Sequence, residues 1–296
     1  MTAEDNGYVA DNTYVTYVYA VARDTGVLRK SMAGLVGVAG APVRLVSGGD
    51  AGDITFVASS ASALDFDEQA LRRHLEDLEW LEAVARAHNA VIETLGAATT
   101  VLPLRLATVY LGDDRARDAL ESDRAEFARL LTRLEGHVEW GVKIYVEAPE
   151  EAPEPTAPSA ASDTGLSPGR AYLRRRRDQR HLRDDAHLAA RTAAERIEAA
   201  GRAYATDRAR HRVQQGELAG SNGENVVNDA YLLAEDRADA FRAEVAQAAD
   251  DLPGVRVEIT GPWAPYSFTA PVDTAVDVED VDVEDEDMDV EEGGRP

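Results

Sequence analysis

The sequence predicts an α+β protein of two domains, and three observations lead there. Its 296 residues, 44% of them hydrophobic, are enough to build two cores. Runs rich in β-branched and aromatic residues alternate with long stretches whose apolar residues recur at helical spacing. The order strand, helix, strand also comes twice, before and after a segment rich in Pro, Ala, Ser and acid. The two occurrences share no sequence identity that would mark a repeat, so their likeness is architectural.

Met1 to Asn12 is polar and is expected to fray. TYVTYVYAVAR, from Thr13, reads as a strand with two apolar faces: Val15, Tyr17, Tyr19 and Val21 on one, Thr16, Val18 and Ala20 on the other. Such a strand is either central in a covered sheet or exposes one face to a partner. Pro42 to Ser47 and Asp53 to Ser59 read as short strands joined across SGGD, whose glycines allow a tight turn. From Asp67 to Leu95 the spacing of Leu71, Leu75, Leu78, Ala85, Val91 or Ile92, and Leu95 predicts one helix, closed by Gly96. Thr99 to Leu111 returns to β character, with Pro103 suited to the start or edge of a strand. A second helical pattern spans Asp113 to Glu135 through Leu120, Phe127, Leu131 and Leu134, and WGVKIYVE, Trp140 to Glu147, follows as a strand.

Ala148 to Gly165 reads as a flexible connection. Ser167 and Pro168 suit an N-cap and first helical position, opening a helix striped by Ala186, Ala189, Ala193, Ile197, Ala200 and Tyr204. Asn225 to Ala234 then reads as a strand, Glu235 to Asp250 as a helix with Phe241 and Val245 inward, and Gly254 to Thr260 as a strand.

The formal net charge of −24 is unevenly spread: Asp273 to Glu292 alone holds 12 of the 55 acids, and without Pro271 to Pro296 the balance is 43 acids against 30 bases. That tail repeats Val against acid, and self-repulsion predicts that it stays disordered, either as a solvating tail or as a tether for a basic partner or cations. There is no cysteine, which removes disulfides, thiolate zinc sites and Cys nucleophiles. No apolar run approaches the length of a membrane span and no secretory leader is recognisable, so the chain is expected to be soluble and cytoplasmic.

Three stretches could carry chemistry. HNAVIETLGAATTVLPLRLATVYL, His88 to Leu111, sets His, Asn, Glu and Arg among apolar residues. His88 and Glu93 are five apart and diverge on a helix, and no second His or glycine-rich nucleophile turn accompanies them. A structural polar pair is expected instead: Arg105, in an apolar run, requires a carboxylate if buried, and Glu93 is the first candidate. GRAYLRRRRDQRHLR, Gly169 to Arg183, suggests an anion site, yet the 13 arginines between Arg170 and Arg212 are interleaved with 6 acids. That mixture reads as a solvated, salt-bridged face or a docking surface for an acidic protein, and the overall charge argues against nucleic acid. GPWAPYSF, Gly261 to Phe268, reads as a structural latch across the domain or an aromatic docking site. No phosphate loop, metal site, cofactor motif or catalytic constellation is recognised.

Taken in order, YVYAVA, HNAVIETL with TTVLPLRLATVY, WGVKIYVE, GRAYLRRRR, NDAYLLAEDRADAFRAEV and GPWAPYSF make the chain from Tyr14 to Phe268 resemble the gas vesicle protein L/F family. Leu106 and Ala107 depart from it, standing where the resemblance implies an aromatic residue and a glycine. The resemblance implies two α+β domains, the second a modified ferredoxin-like one. Such a domain needs a strand before its first helix. Val142 to Glu147 is the best available, which puts the border near Gly136 and gives domains of residues 13–136 and 137–268, the second enclosing a loop at 148–166, with the tail from 269 outside. The resemblance also implies a noncatalytic accessory or minor structural protein that binds the major shell protein of the gas vesicle, alongside other gas vesicle accessory proteins. The expected contact is the first strand, with Tyr17, Val18 and Tyr19 as contact residues, because the N-terminal helices most easily cover one of its faces. The alternative is an α+β small-molecule or anion-binding protein, or an enzyme, that uses the arginine-rich helix.

Overall fold

The computed structural model describes residues 13–48, 53–66, 68–74, 76–147, 168–213 and 223–269. The expectations for residues 1–12, for the loop at 148–166 and for the tail beyond Thr269 lie outside the described residues.

The first half is built on β1 (Tyr14–Arg23), α1 (Gly26–Ser31), β2 (Arg44–Ser47), β3 (Ile54–Ser62), α2 (Ala63–Phe66), α3 (Glu68–His74), α4 (Leu78–Gly96), β4 (Val101–Pro103) and β5 (Val109–Tyr110). Its sheet has the order β2-β3-β1-β4, with β5 also paired to β1. β1 is therefore central and β4 lies at the edge, where Pro103 removes no needed ladder donor. Asp77 interrupts the single helix expected from 67 to 95: its carboxylate accepts the Trp80 N–H at 3.1 Å and starts α4 anew.

α5 (Asp113–Ser122) and α6 (Arg124–Leu134) replace the single helix expected to follow, with the break at Asp123. Beyond Gly136, whose φ of 68° favours glycine, come β6 (His137–Val146), α7 (Pro168–Tyr204), β7 (Ala205–Arg210), β8 (Glu224–Ala234), α8 (Ala238–Ala246) and β9 (Val255–Trp263). The second sheet is antiparallel with the order β7-β8-β6-β9. In each half, then, the third strand of the sheet lies beside the first with the second outside it, and the fourth lies on the first strand's other side: the ferredoxin-like connectivity expected for one half is present in both.

The cores stack these elements in five layers. α1 and α4 cover one face of the first sheet, with Leu28, Val91, Ile92 and Leu95 against Tyr17, Tyr19, Ala20 and Ala22. α5 and α6 fill the space between the sheets, where Leu120, Phe127, Leu130 and Leu134 meet Val18, Val21 and Phe56 from the first sheet and Ala230 and Leu232 from the second. α7 and α8 cover the outer face of the second sheet through Ala193, Ile197, Phe241 and Val245.

This stacking corrects the expected docking strand. Tyr17, Val18 and Tyr19 are fully buried, because helices cover both faces of β1. A bulge between Val18 and Ala20 also shifts the alternation, so that Tyr19 and Ala20 both enter the core under α4. β1 is the axis of the first sheet, and from Val15 to Ala22 its residues are buried on both faces.

Candidate functional site

α4 delivers His88 to the inner side of the first half and Asn89 and Glu93, one turn apart, to the outer side. The His88 ring is 1% exposed and its Nδ1 lies 3.0 Å from Tyr17 Oη. Tyr17 Oη accepts the Ala107 N–H at 3.1 Å and keeps its own proton available for Nδ1, an arrangement that goes with the tautomer protonated on Nε2. Burial pushes the His88 pKa down to about 4, with the Leu104 carbonyl only partly offsetting it. Nε2 itself has no partner in hydrogen-bond geometry among the described residues. Burial raises the Tyr17 phenol well above its ordinary range. A neutral imidazole facing a neutral phenol, sealed from solvent, is a packing device.

The Tyr17 phenol also explains the departure at Ala107. This residue has φ of 61°, the left-handed conformation for which glycine is suited, and its N–H is fixed to Tyr17. Tyr19 works similarly: its hydroxyl accepts the Val38 N–H at 2.7 Å and shares a hydrogen bond with the Ser59 hydroxyl at 2.7 Å. Gly37 lets the phenol approach that closely, since a Cβ there would collide with the Tyr19 hydroxyl.

The burial expected of the Glu93–Arg105 pair is a second correction. Arg105 and Glu93 are both exposed, so the guanidinium never incurs the burial that would demand that carboxylate. The run around Arg105 looks like a continuous strand but divides into β4, a turn and β5, and the turn carries Arg105 outward. Glu93 also acts on Tyr266, whose phenol is raised well above its ordinary range by burial first and then by the Glu93 and Glu139 charges.

Gly261 to Thr269 binds the halves together. Tyr266 Oη donates to Asn89 Oδ1 at 3.0 Å on α4. Ser267 gives its N–H and its hydroxyl to the Glu139 carboxylate on β6, at 2.9 and 2.7 Å, and Phe268 is buried with α6 and β8. His211 Nε2 lies 2.9 Å from Ser267 Oγ; since that hydroxyl donates to Glu139, the imidazole must be the donor. The Ser267 hydroxyl thus lies between a carboxylate and an imidazole donor, whereas a nucleophile needs the imidazole as its acceptor. Burial raises the Glu139 carboxyl, and the two Ser267 donors oppose that shift. Of the two readings of GPWAPYSF, the latch is what these contacts describe, and it spans both halves.

Beside the latch runs a cleft of about 880 Å³. Ile92, Ala97, Val138, Trp140, Pro262 and Trp263 supply its apolar lining, and Glu93, Glu235, Asp239 and Arg242 its charges. Arg242 lies over the Trp140 ring at 4.6 Å from its centroid, while Trp263 stays 47% exposed at the rim. Sequence reasoning missed this cleft because its walls come from α4, β6, α8 and β9, far apart in the chain; the aromatic residues of GPWAPYSF were its one visible signal. Among the described residues no group of His, Asp or Glu is placed to hold a metal ion, and no helix is long and apolar enough to cross a membrane.

The family model described as "Gas vesicle synthesis protein GvpL/GvpF" matches residues 15–270. A curated relative, gas vesicle protein L of Streptomyces sp. (strain CB03234), is 44% identical over 256 residues, covering 85% of this chain and 91% of its own. Among solved structures, the chain is similar to the gas vesicle protein GvpF of Anabaena sp. PCC7120, with TM-score 0.57 and 17% identity over 87% of this chain and 97% of that one. It is also similar to GvpF of Microcystis aeruginosa, with TM-score 0.53 and 18% identity over 87% and 99%. These structural likenesses establish the α+β fold. The family match over most of the chain and the 44% identity establish more: the chain belongs to the GvpL/GvpF family of gas vesicle proteins.

Proposed function

We propose that this protein acts in gas vesicle formation as a noncatalytic accessory or minor structural component that engages the major shell protein during assembly, through the cleft beside the latch. The observation that carries the choice of surface is the half-exposed Trp263, set among Pro262, Val138, Ile92 and Ala97 on a surface otherwise rich in charge. A shell subunit made to line a gas space must present apolar surface before it enters the wall, and a rigid aromatic cleft is a suitable temporary cover. The acidic groups at the cleft margin keep the accessory protein itself soluble.

The test is capture of the purified major shell protein by the full-length chain. Capture should persist at high salt, because apolar contact survives when the Debye length falls to about 3 Å at 1 M. Trp263→Ala should weaken binding about thirtyfold, the expectation for an interfacial aromatic anchor worth about 2 kcal/mol. Ala98→Glu, at an exposed position on the cleft wall, should weaken it without disturbing either core. Undiminished capture by both variants would remove the cleft from the proposal; no capture by the unaltered chain would remove the partner.

A further inference from the structure

The first part of α7 extends beyond the body of the protein. Each residue from Arg176 to Asp185 is exposed, as are Leu173 and Arg174, and among the residues of α7 whose burial is described the first buried one is Ala186, beside Gly254. At 1.5 Å per residue the stretch from Pro168 to Asp185 makes an arm about 27 Å long.

Local physics does not favour a helix there. A helical segment with no packed face and of this length is marginal in water. Seven arginines and three aspartates between residues 168 and 185 give it a local excess of positive charge. Arg174 and Arg177, and Arg177 and Arg180, repeat like charges at i,i+3 spacing, where repulsion costs about 0.2–0.5 kcal/mol per pair. The first turn holds no acidic residue, so the arginines gather near the positive end of the helix dipole. At the base of the arm Arg183 reaches Glu224 at 2.8 Å. The excess positive charge of the outer part is complementary to an anionic segment.

The same chain carries one. Residues 273–292 hold 12 acids and no base, and they are tethered to Thr269, the last described residue. Fully extended, the 23 residues that follow Thr269, up to Glu292, span about 75 Å, more than twice the length of the arm. We propose that the acidic segment 270–296 docks along the arginine arm of α7 in the same molecule, stabilising the arm as a helix and occupying it against other acidic partners. The tether raises the effective concentration of the tail over any free acidic ligand.

Hydrogen exchange of the arm amides, measured in the full-length chain, tests this. The amides of residues 173–185 should be protected at low salt. They should exchange at least about tenfold faster when the acids of 279–287 are replaced by Asn and Gln, and likewise at 1 M salt. The triple variant Arg174→Glu, Arg177→Glu and Arg180→Glu should show the same loss, and placing lysines in the tail of that variant should restore protection. Equal protection in the unaltered and tail-neutralised chains would overturn the proposal. So would protection that depends on protein concentration, since the tail would then be reaching a second copy. The cores are untouched by these substitutions, so unchanged exchange in α4 and β6 serves as the folding control.

Discussion

Replacing His88 with Asn should flatten the acid side of the stability profile. The folded ring has its pKa lowered to about 4, against an ordinary value of 6.5. Because the folded value is depressed, the neutral ring's contribution is complete above pH 6.5 and is lost as the pH falls towards 4, where the unfolded chain takes up a proton that the folded chain refuses. The gap corresponds to about 3 kcal/mol at 1.36 kcal/mol per unit. His88→Asn removes that titration while leaving an oxygen acceptor close to the position of Nδ1, so the Tyr17 hydroxyl keeps a partner. The variant loses ring packing and should be about 1–3 kcal/mol less stable at pH 7. Urea unfolding followed by circular dichroism, at half-unit steps between about pH 4 and 7, gives both curves. The difference between them should shrink steadily below pH 6.5 and close or reverse near pH 4, the carboxylates common to both chains cancelling. Parallel curves would mean that His88 is hydrated or protonated in the folded state, and the account of the sealed Tyr17–His88 pair would fail.

Two other substitutions probe the frame. Ala107→Gly should stabilise the fold by about 0.5–1 kcal/mol, since relief of the left-handed backbone, about 1–2 kcal/mol, exceeds the extra entropy that glycine loses on folding; a lower melting temperature would refute this. Phe268→Ala should cost about 3–5 kcal/mol and broaden unfolding into separate transitions for the two halves in calorimetry, because the ring closes the core between the sheets; a small shift with one sharp transition would show that the latch carries little.

Much of this architecture is legible in the sequence where one residue pattern answers to one environment. Pro103 marks an edge strand, Gly96 is the last residue of α4, and the Ala186 to Tyr204 stripe faces the second core, with Ala190 in place of the expected Ala189. What escaped depended on partners remote in the chain. β7, Ala205–Arg210, is a polar edge strand whose Asp207, Arg208 and Arg210 resemble a continuation of the preceding helix's charged face. Arg208 is drawn in by Glu198 at 2.8 Å and Asp229 at 2.6 Å, neither of which is near it in sequence. α1 is too short to impose a period. The two apolar faces of β1 were visible, but whether they met helices or a partner depended on α5 and α6 folding back over the first sheet. The cleft was illegible for the same reason: Trp140 and Trp263 are brought together by β6 and β9 pairing, whereas Tyr17, Val18 and Tyr19, the more conspicuous aromatic run, went into the core.

Phe268 also dictates a timetable. The core it closes contains Leu130 and Leu134 from the middle of the chain and Leu232 from near the end, so on the ribosome the first half emerges with one wall of its interior missing. At about 5–20 residues per second, the 134 residues from Leu134 to Phe268 take on the order of ten seconds to synthesise. For that interval the side of α6 that will meet the second sheet is open to whatever lies nearby, and the layer between the sheets is completed only when β8 and the latch arrive. A protein ordered in this way closes its middle layer last, so early termination before Gly261 would leave the apolar side of α6 uncovered and the fragment prone to aggregate.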